Sequence, residues 1–354
     1  LYFFKLKFFQ VVKNYLSLSM NETKIKKLGN LISSPKKIVI IPHKNPDGDA
    51  LGSCLALMHF LKNKSHDANI ISPNDYPNFL KWLPGENSII KFSKNKKLVK
   101  SIINNGSLIF VLDFNDLNRI GDLNDIVKDS KSKKIMIDHH EKPKKFADLE
   151  FSYPEISSTC EIIYNIIEKL DPLSINKNIS TCLYTGIMTD TGSFKYPSTT
   201  DKTHKIISKL IKNGAEGSKI YEKIYNEFSL NKLKLLSICL NNIKKVEKLP
   251  VVYMTLNQNE LDKCFFKKGD SEGFVNYGLS IKGIKLSIIL IENKEEKIIK
   301  MSFRSKGNFP ANLFAEKFFN GGGHINAAGG FSKENLTETV TELIINLNDF
   351  FNEV

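Results

Sequence analysis

The stretch "KKIVIIPHKNPDGDALGSCLALMHFLKN" (36–63) decides the fold class of this chain. Its opening run, "KKIVIIP" (36–42), is apolar and β-branched, which is typical of a buried strand. The segment "ALGSCLALMHFLKN" (50–63) has the length and the apolar content of a helix. A strand that leads into a helix through a loop is the unit from which parallel sheets are built. This stretch therefore predicts an α/β protein.

The alternation of strands and helices continues beyond this stretch. Strands are predicted for "ANIIS" (68–72), "SLIFVLD" (107–113) and "KKIMID" (133–138). Helices are predicted for "STCEIIYNIIEKL" (158–170) and "NISTCLYTGIMTD" (178–190). Such a pattern predicts one parallel sheet with helices on both of its faces.

A second, smaller α/β domain is predicted beyond a helical connector. The run "LNKLKLLSICLNNIKKVEKL" (230–249) contains neither Gly nor Pro and predicts one long helix. Strand-like runs and a helix, "PANLFAEKFF", follow it. We therefore expect four segments along the chain: an N-terminal extension (1–19), a first domain (20–225), a helical linker (226–248) and a second domain (249–354).

The N-terminal segment "LYFFKLKFFQVVKNYLSLS" is apolar but interrupted by lysines, and the first methionine is Met20. We interpret residues 1–19 as an upstream extension of the gene model rather than native structure; a helix on a membrane surface is the alternative. No apolar run reaches the ~18 residues of a spanning helix, so no membrane partner is expected. The five cysteines form no CxxC pair, which is typical of reduced thiols in a cytoplasmic protein.

The charge of the chain favours an acidic partner. The formal net charge is +13, which suits nucleic acid or phosphate, although solvated surface lysine is the simpler explanation for most of it. Only two of the 51 basic residues are arginines, Arg119 and Arg304. Arginine offers a flat, forked donor that grips phosphate through two hydrogen bonds. Both arginines are therefore candidates for phosphate contacts.

Acidic and histidine side chains stand where the predicted strands and one predicted helix end. They are His43, Asp47, Asp49, Asp113, Asp138, His139, His140 and Asp190. The carboxyl ends of parallel strands share one edge of the sheet, where open α/β sheets bind ligands. We therefore expect these side chains to lie close together. Each alone has a simpler explanation as a turn residue or a helix cap, and Asp49 in particular could cap the helix that follows it.

Electrostatics restricts what such a site can hold. Two carboxylates ~4 Å apart repel each other by about 4 kcal/mol at an effective dielectric constant of ~20. The four aspartates of the set other than Asp138 would not all stay ionised without cations. Oxygen-rich ligation with a minority of imidazole suits Mn²⁺ better than Zn²⁺, with Mg²⁺ as the alternative. Two such cations form the clamp that is used for in-line attack on phosphorus.

A glycine-rich segment supplies a second candidate site. Five of the 20 glycines fall within 321–330. One glycine would suffice to cap the preceding helix, whereas three in a row predict a loop whose bare backbone lets an anion approach closely. Arg304 lies upstream of these glycines and His324 follows them. We expect this group to hold a phosphate.

Five motifs stand in order along the chain: "HKNPDGDALGS" (43–53), "VLDFNDLNRIG" (111–121), "IDHHEKP" (137–143), "GIMTDTGSFKYPSTT" (186–200) and "FRSKGNFPANLFAEKFFNGGGHINAAGG" (303–330). Together they resemble the DHH phosphoesterase family, in particular its branch with a C-terminal DHH-associated domain. The resemblance spans about residues 21–350. It implies a bifunctional enzyme: an oligoribonuclease for very short RNA (a nano-RNase) and a phosphatase for 3′-phosphoadenosine 5′-phosphate.

The resemblance also implies a role for each site residue. One Mn²⁺ would be held by His43, Asp47 and Asp113, and the other by Asp49, Asp113, His139 and Asp190. The catalytic residues that handle the proton would be Asp138 and His140. The substrate would be bound by Arg304, Ser305, Gly321, Gly322, Gly323, His324 and Arg119. A hydroxide held between the two cations would attack the phosphorus, the 3′-oxygen would leave, and a nucleoside 5′-monophosphate would be released.

Other functions stay open at this point. Hydrolysis of linear or cyclic dinucleotide messengers, such as pApA or cyclic di-AMP, is the main alternative. A pyrophosphatase relative would share the first domain but not the "GGGH" ending, and a non-catalytic nucleotide-binding module would lack part of the metal set. The expected partners are short RNA or a nucleotide. A homodimer also stays open.

Overall fold

The computed structural model describes residues 21–353, so the predicted extension at 1–19 lies outside the described residues. The chain divides into two compact units, the first ending at Ile224 and the second beginning at Tyr225. Across the described range, no helix has both the length and the apolar character needed to cross a bilayer.

The first unit is built on six strands in the order β3-β2-β1-β4-β5-β6. The strands are β1 (Lys37–Pro42), β2 (Asp67–Ser72), β3 (Ile90–Lys91), β4 (Leu108–Leu112), β5 (Lys133–Asp138) and β6 (Leu149–Ser152). Every neighbouring pair is parallel, which confirms the sheet predicted from the sequence. The central strands are buried along most of their length because helices cover both faces of the sheet. The edge strands β3 and β6 are additions to the prediction.

The helices of the first unit pack on both faces of its sheet. They are α1 (Glu22–Leu31), α2 (Gly48–Asn63), α3 (Lys96–Asn104), α4 (Asn124–Asp129), α5 (Thr159–Leu170), α6 (Lys177–Asp190), α7 (Asp201–Lys212) and α8 (Gly217–Tyr221). On one face Val39 and Val111 pack against Ile103 of α3 and Val127 of α4. Helix α2 is buried on nearly all sides and packs against α5 and α6.

The second unit is built on a mixed sheet in the order β11-β12-β10-β9-β8-β7. Its strands are β7 (Lys244–Lys245), β8 (Val251–Leu256), β9 (Leu286–Asn293), β10 (Ile298–Ser305), β11 (Gly322–His324) and β12 (Ala327–Ser332). Its helices are α9 (Leu230–Asn241), α10 (Gln258–Lys263), α11 (Phe274–Leu279), α12 (Ala311–Phe318) and α13 (Leu336–Glu353). Side chains such as Phe303, Phe314 and Leu343 form the core on one face. A smaller C-terminal α/β domain is thereby confirmed.

The long helix predicted for 230–249 is wrong in its extent. Helix α9 ends at Asn241, and the chain then forms the edge strand β7. Lys248 adopts a left-handed conformation with φ 61° shortly before Pro250, and proline disfavours a helix in the residue that precedes it. Leu235 of α9 is buried in a core cluster of the second unit.

Candidate two-metal centre

Three candidate ligands come from the loop after β1 and the start of α2. His43 directly follows β1, and the side chain of Asp47 caps α2. Asp47 Oδ1 accepts hydrogen bonds from the backbone N–H groups of Asp49 and Ala50 at 3.1 and 3.0 Å. The cap is therefore Asp47 and not Asp49. The second oxygen of Asp47, Oδ2, lies 3.9 Å from His43 Nε2, so one carboxylate both starts the helix and faces the cluster.

Asp113 lies at the centre of the cluster. It follows β4, is buried, and has φ 65°, a left-handed conformation that is uncommon for residues other than glycine. Asp113 Oδ2 is 3.4 Å from His43 Nε2, and Asp113 Oδ1 is 3.4 Å from His139 Nε2. The two oxygens of one carboxylate therefore face two different imidazoles.

His139, Asp49 and Asp190 form the second half of the cluster. His139 follows β5, and Asp190 is the last residue of α6. His139 Nε2 lies 3.5 Å from Asp190 Oδ2 and 3.9 Å from Asp49 Oδ2. The structure thus brings all six predicted metal ligands to one edge of the sheet, at the carboxyl ends of β1, β4 and β5.

Both imidazoles are oriented by backbone carbonyl oxygens. His43 Nδ1 lies 2.9 Å from Lys44 O, and His139 Nδ1 lies 3.2 Å from Ile156 O. A ring nitrogen that faces a carbonyl oxygen is the one that carries the proton. The Nε2 lone pair of each neutral ring then points toward the carboxylates, which is the tautomer that binds metal ions.

Burial and neighbouring charges shift the pKa values of the side chains in the cluster. Burial alone lowers the pKa of His139, but the charges of Asp190 and Asp113 outweigh it and hold the pKa well above its usual range. Burial raises the pKa of Asp49 well above its usual range, and Asp113 and Asp190 raise it further. Burial also opposes ionisation of Asp113, yet its contacts with the imidazoles of His139 and His43 bring its pKa well below the usual value.

Asp138 and His140 form a pair beside these ligands. The fully buried Asp138 accepts hydrogen bonds from His140 Nδ1 at 2.7 Å and from the His140 backbone N–H at 2.9 Å. His140 Nδ1 also lies 3.8 Å from Asp113 Oδ1. Because both oxygens of Asp138 bond to His140, Asp138 orients this ring. The Asn115 amide supports the same loop by donating to His140 O and Glu141 O at 3.0 and 2.9 Å.

Two of the carboxylates accept hydrogen bonds from residues at the N-terminus of α5. These contacts were not predicted from the sequence. Asp49 Oδ2 and Oδ1 accept the backbone N–H groups of Thr159 and Cys160 at 2.6 and 2.9 Å. The Thr159 hydroxyl donates to Asp113 Oδ1 at 3.0 Å. Ser158 caps this helix, so the Ser-Ser-Thr run at its predicted start was the available signal. Its link to Asp49 and Asp113 exists only in the tertiary structure.

Two glycines allow α2, α5 and α6 to approach closely enough to form the cluster. A Cβ atom added to Gly52 would lie 2.6 Å from Cys182 O. A Cβ atom added to Gly186 would lie 2.2 Å from Cys160 Sγ and 2.8 Å from Asp49 Oδ1. None of these three distances leaves room for a Cβ atom at Gly52 or Gly186. These positions therefore set how deeply Asp49 and Asp190 reach into the site.

Arg119 lies beside the first half of the cluster. It belongs to the 3-10 segment Leu117–Leu123, and its backbone oxygen accepts the Lys44 N–H at 2.7 Å. Burial lowers the pKa of His43, but contacts with Asp113 and Asp47 leave it raised on balance. The positive charge of Arg119 lowers the same pKa.

The predicted substrate residues of the second unit lie around the end of β10. Arg304 is half-buried and donates from Nη1 to Phe303 O at 3.0 Å. The Ser305 hydroxyl donates to Phe309 O at 2.7 Å and accepts from Asn326 Nδ2 at 2.9 Å. Ser305 therefore uses its side chain to hold the neighbouring turns together.

The glycine-rich segment forms a β-hairpin and not the predicted loop. Strand β11 pairs with β12 around a turn at 325–326. Cβ atoms added to Gly321 and Gly323 would lie 2.1 and 2.4 Å from carbonyl oxygens of β12, so the close backbone approach of the hairpin requires both glycines. A Cβ atom added to Gly322 would meet nothing within 4 Å. Gly322 is also exposed, so a ligand can approach its backbone.

The residues fit a pair of divalent cations. Ligand atoms of His43, Asp47 and Asp113 lie within 4.8 Å of one another, and so do those of Asp49, Asp113 and His139. The two groups share Asp113. Carboxylate oxygens with a minority of imidazole nitrogens are the donor set that Mn²⁺ accepts, and Mg²⁺ also prefers oxygen ligands.

Comparisons with known proteins cover both units. The model of the "DHH family, N-terminal domain" matches residues 37–187, and that of the "DHHA1 domain" matches residues 237–353. An uncharacterized protein of Mycoplasma genitalium, MG371, is 30% identical over 88% of this chain and 91% of its own length. The bifunctional oligoribonuclease and PAP phosphatase NrnA of Bacillus subtilis is 29% identical over 84% of this chain and 90% of its own length.

A solved structure shares the whole fold. The exopolyphosphatase-related protein from Bacteroides fragilis superimposes with a TM-score of 0.90 at 40% identity, covering 94% of this chain and 98% of its own. The similarity therefore extends from the parallel sheet and its acidic edge through the C-terminal hairpin. This chain belongs to the DHH family and combines the N-terminal domain of that family with a DHHA1 domain.

Proposed function

We propose that this chain is a metal-dependent phosphoesterase. It degrades very short oligoribonucleotides to nucleoside 5′-monophosphates and removes the 3′-phosphate from 3′-phosphoadenosine 5′-phosphate. The observation that carries this proposal is the position of Asp113, whose two oxygens each lie 3.4 Å from a different imidazole. The similarity to the Bacillus subtilis oligoribonuclease and PAP phosphatase over most of both chains supports the choice of substrates.

The two halves of the cluster would each hold one Mn²⁺, with Mg²⁺ as the alternative. The proposed ligands are His43, Asp47 and Asp113 for one ion and Asp49, Asp113, His139 and Asp190 for the other. Such a pair, when bound, supplies an activated water molecule and neutralises the charge that develops on the phosphate. The contribution of the protein is to hold these side chains in place before the substrate arrives, through the carbonyl contacts of the imidazoles and the N-terminus of α5.

Proton transfer is assigned to His140. Asp138 accepts the Nδ1 proton at 2.7 Å and so fixes the orientation of the ring. In the imidazolium form both ring nitrogens donate. Nε2 is then the atom from which a proton can pass to the leaving 3′-oxygen, while Asp138 stabilises the positive charge.

Substrate binding is assigned mainly to the second unit. The proposed residues are Arg304, Ser305, Gly321, Gly322, Gly323 and His324, joined by Arg119 of the first unit. The forked donor of Arg304 and the open backbone of Gly322 support a role in holding phosphate. In this scheme residues 20–225 are the catalytic domain, 226–248 the linker and 249–354 the substrate-binding domain. The five free cysteines support a cytoplasmic location.

A substrate panel tests the proposed function. Purified protein with Mn²⁺ is offered a labelled diribonucleotide, 3′-phosphoadenosine 5′-phosphate, pApA and cyclic di-AMP. We expect turnover of the diribonucleotide to mononucleotides and release of phosphate from the bisphosphate. Turnover restricted to pApA or cyclic di-AMP would favour the dinucleotide-messenger alternative, and no turnover of any compound would refute a phosphoesterase.

The role of Asp113 is tested by Asp113→Ala. We expect loss of activity on every substrate of the panel with a folded protein, judged by circular dichroism. The matched control is Asp171→Ala, which removes a carboxylate of the same unit that pairs with Lys64 at 2.9 Å and lies outside the cluster. Retained activity in Asp113→Ala would remove the bridging role.

A further inference from the structure

The turn that follows α6 has an unusual backbone. Gly192, Ser193 and Phe194 all lie in the left-handed region, with φ values of 56°, 59° and 65°. Residues with side chains rarely adopt this conformation, and it persists only where surrounding bonds impose it. Here the Ser193 N–H donates to Met188 O at 2.8 Å, and the Phe194 N–H donates to Thr191 Oγ1 at 3.1 Å.

The aromatic rings of Phe194 and Tyr196, both in this turn, have different surroundings. The Tyr196 N–H donates to Thr191 O at 3.1 Å, which folds the chain back over Gly192. The half-buried ring of Phe194 packs against Tyr184, with ring centroids 6.0 Å apart. The Tyr196 ring lies on Gly192, where an added Cβ would be only 2.5 Å from Tyr196 Cζ. Yet 38% of Tyr196 is exposed, so one side of the residue is supported and the other faces solvent.

The turn that carries the exposed ring begins directly after a candidate metal ligand, Asp190. Gly192 is two residues from Asp190, so their Cα atoms are at most about 7 Å apart. Asp190 Oδ2 is in turn 3.5 Å from His139 Nε2. Tyr196 therefore belongs to a short turn whose start is fixed to the candidate metal centre through Asp190.

We propose that Tyr196 is a stacking platform for one nucleobase of the short RNA substrate, an inference that rests on the proposed oligoribonuclease function. Every nucleobase has a π face, and stacking on a tyrosine ring tolerates any base, as an enzyme that degrades RNA of mixed sequence requires. An uncharged ring suits a base and not a phosphate. Because Gly192 supports the ring, stacking costs little rearrangement. The exposed Lys195 beside it supplies a cation for the phosphate of the same nucleotide.

The test compares variants that remove the ring, Tyr196→Leu and Tyr196→Gln, with Tyr196→Phe, which keeps it. KM and kcat are measured with Mn²⁺ for a diribonucleotide and for its two analogues that lack one base each. Loss of the ring should raise KM for the diribonucleotide about five- to a hundredfold with little change in kcat, because stacking is made equally in substrate and transition state. Tyr196→Phe should match the wild type. One abasic analogue, the one without the stacked base, should show the same KM in every variant.

The matched control is Tyr221→Leu, which removes a tyrosine that is 43% exposed in the same unit. It should leave KM unchanged. An unchanged KM in both ring-removing variants of an active enzyme would overturn the platform and leave the proposed function standing. An equal rise in KM for both abasic analogues would also overturn it, since no stacked base would then be involved. If the wild type turns over no substrate, the proposed function fails and the platform fails with it.

Discussion

At the scale of single residues, Thr159 holds two of the carboxylates between which the cations are proposed to bind. Its N–H donates to Asp49 Oδ2 at 2.6 Å, and its hydroxyl donates to Asp113 Oδ1 at 3.0 Å. Residues that hold metal ligands in place typically change metal affinity 10- to 100-fold when they are lost. Thr159 can therefore set the affinity of the centre without contacting a metal ion.

We predict that Thr159→Val lowers the affinity for Mn²⁺ about ten- to a hundredfold, because valine keeps the shape of threonine but loses its hydroxyl. Thr159→Ser should retain most of the wild-type affinity. Isothermal titration calorimetry with Mn²⁺ measures both. Thr339→Val, which replaces an equally buried threonine of the second unit, is the control and should bind Mn²⁺ like the wild type. Equal affinities of the Val and Ser variants at position 159 would contradict the prediction.

Arg304 permits a test of the forked donor. Arg304→Lys keeps the charge but loses the planar pair of N–H groups, so we predict a rise in KM of about ten- to a hundredfold, the equivalent of a lost charge-assisted hydrogen bond. Steady-state kinetics on the diribonucleotide measures it. Lys300→Arg alters a cation on the same strand and should leave KM unchanged. An unchanged KM in Arg304→Lys would mean that the scarcity of arginine in this chain carries no functional meaning.

The clustering of the candidate metal ligands could be predicted from the sequence because they stand at or next to the ends of predicted strands and helices, and parallel strands place their carboxyl ends together. Thr159 could not be predicted in the same way. Its bond to Asp113 joins residues 46 positions apart, and its bond to Asp49 joins residues 110 positions apart. No periodicity or local motif encodes such contacts. The cap of α2 was also not predicted correctly. Asp47 and Asp49 both stand near the start of the predicted helix, and only the structure identifies the cap as Asp47, with Asp49 inside the first turn.

At the scale of elements, the packing of α2, α5 and α6 depends on the absence of a side chain at Gly186. We predict that Gly186→Ala lowers the free energy of unfolding by about 1–3 kcal/mol, the usual cost of overpacking a core. Mn²⁺ affinity should fall as well, because the new methyl group would displace Asp49. Urea unfolding and calorimetry measure the two effects.

The matched control is Gly29→Ala in α1. Its added Cβ would lie 3.2 Å from Leu170 Cδ2, the end of a flexible side chain. Alanine also has the higher helix propensity, so the free energy of unfolding should stay the same or rise. A Gly186→Ala protein as stable as Gly29→Ala would show that the three helices are not packed as tightly as the structure indicates.

The strands β1, β2, β4 and β5 of the first unit were predictable because strands buried on both faces are continuous apolar runs. The hairpin of β11 and β12 was not, because a run of glycines has no strand propensity and pairs here through backbone contacts that exclude side chains. The helix predicted for 230–249 was too long for a related reason. Its apolar pattern continues past Asn241, but the helix ends there and the chain pairs with β8 as the edge strand β7.

At the scale of the whole molecule, the candidate ligands cluster in the first unit, so cations should stabilise that unit alone. We predict that Mn²⁺ at a hundred times its Kd raises the free energy of unfolding of the first unit by about 2.7 kcal/mol per site. Hydrogen–deuterium exchange should show added protection in α2, β4 and β5, which EDTA reverses. Helix α13 of the second unit is the internal control and should exchange at the same rate in both conditions. Equal protection of both units would contradict a centre confined to the first.

The number of Mn²⁺ ions bound per chain tests the central claim most directly. Titration calorimetry, with the bound metal counted by mass spectrometry after gel filtration, should find two ions in the wild type. Asp113→Asn, which keeps the shape of the side chain but removes the shared charge, should lose high-affinity binding of both ions together, because each half of the cluster uses one oxygen of Asp113. A wild type that binds no Mn²⁺, or an Asp113→Asn protein that still binds two ions with unchanged affinity, would contradict the account.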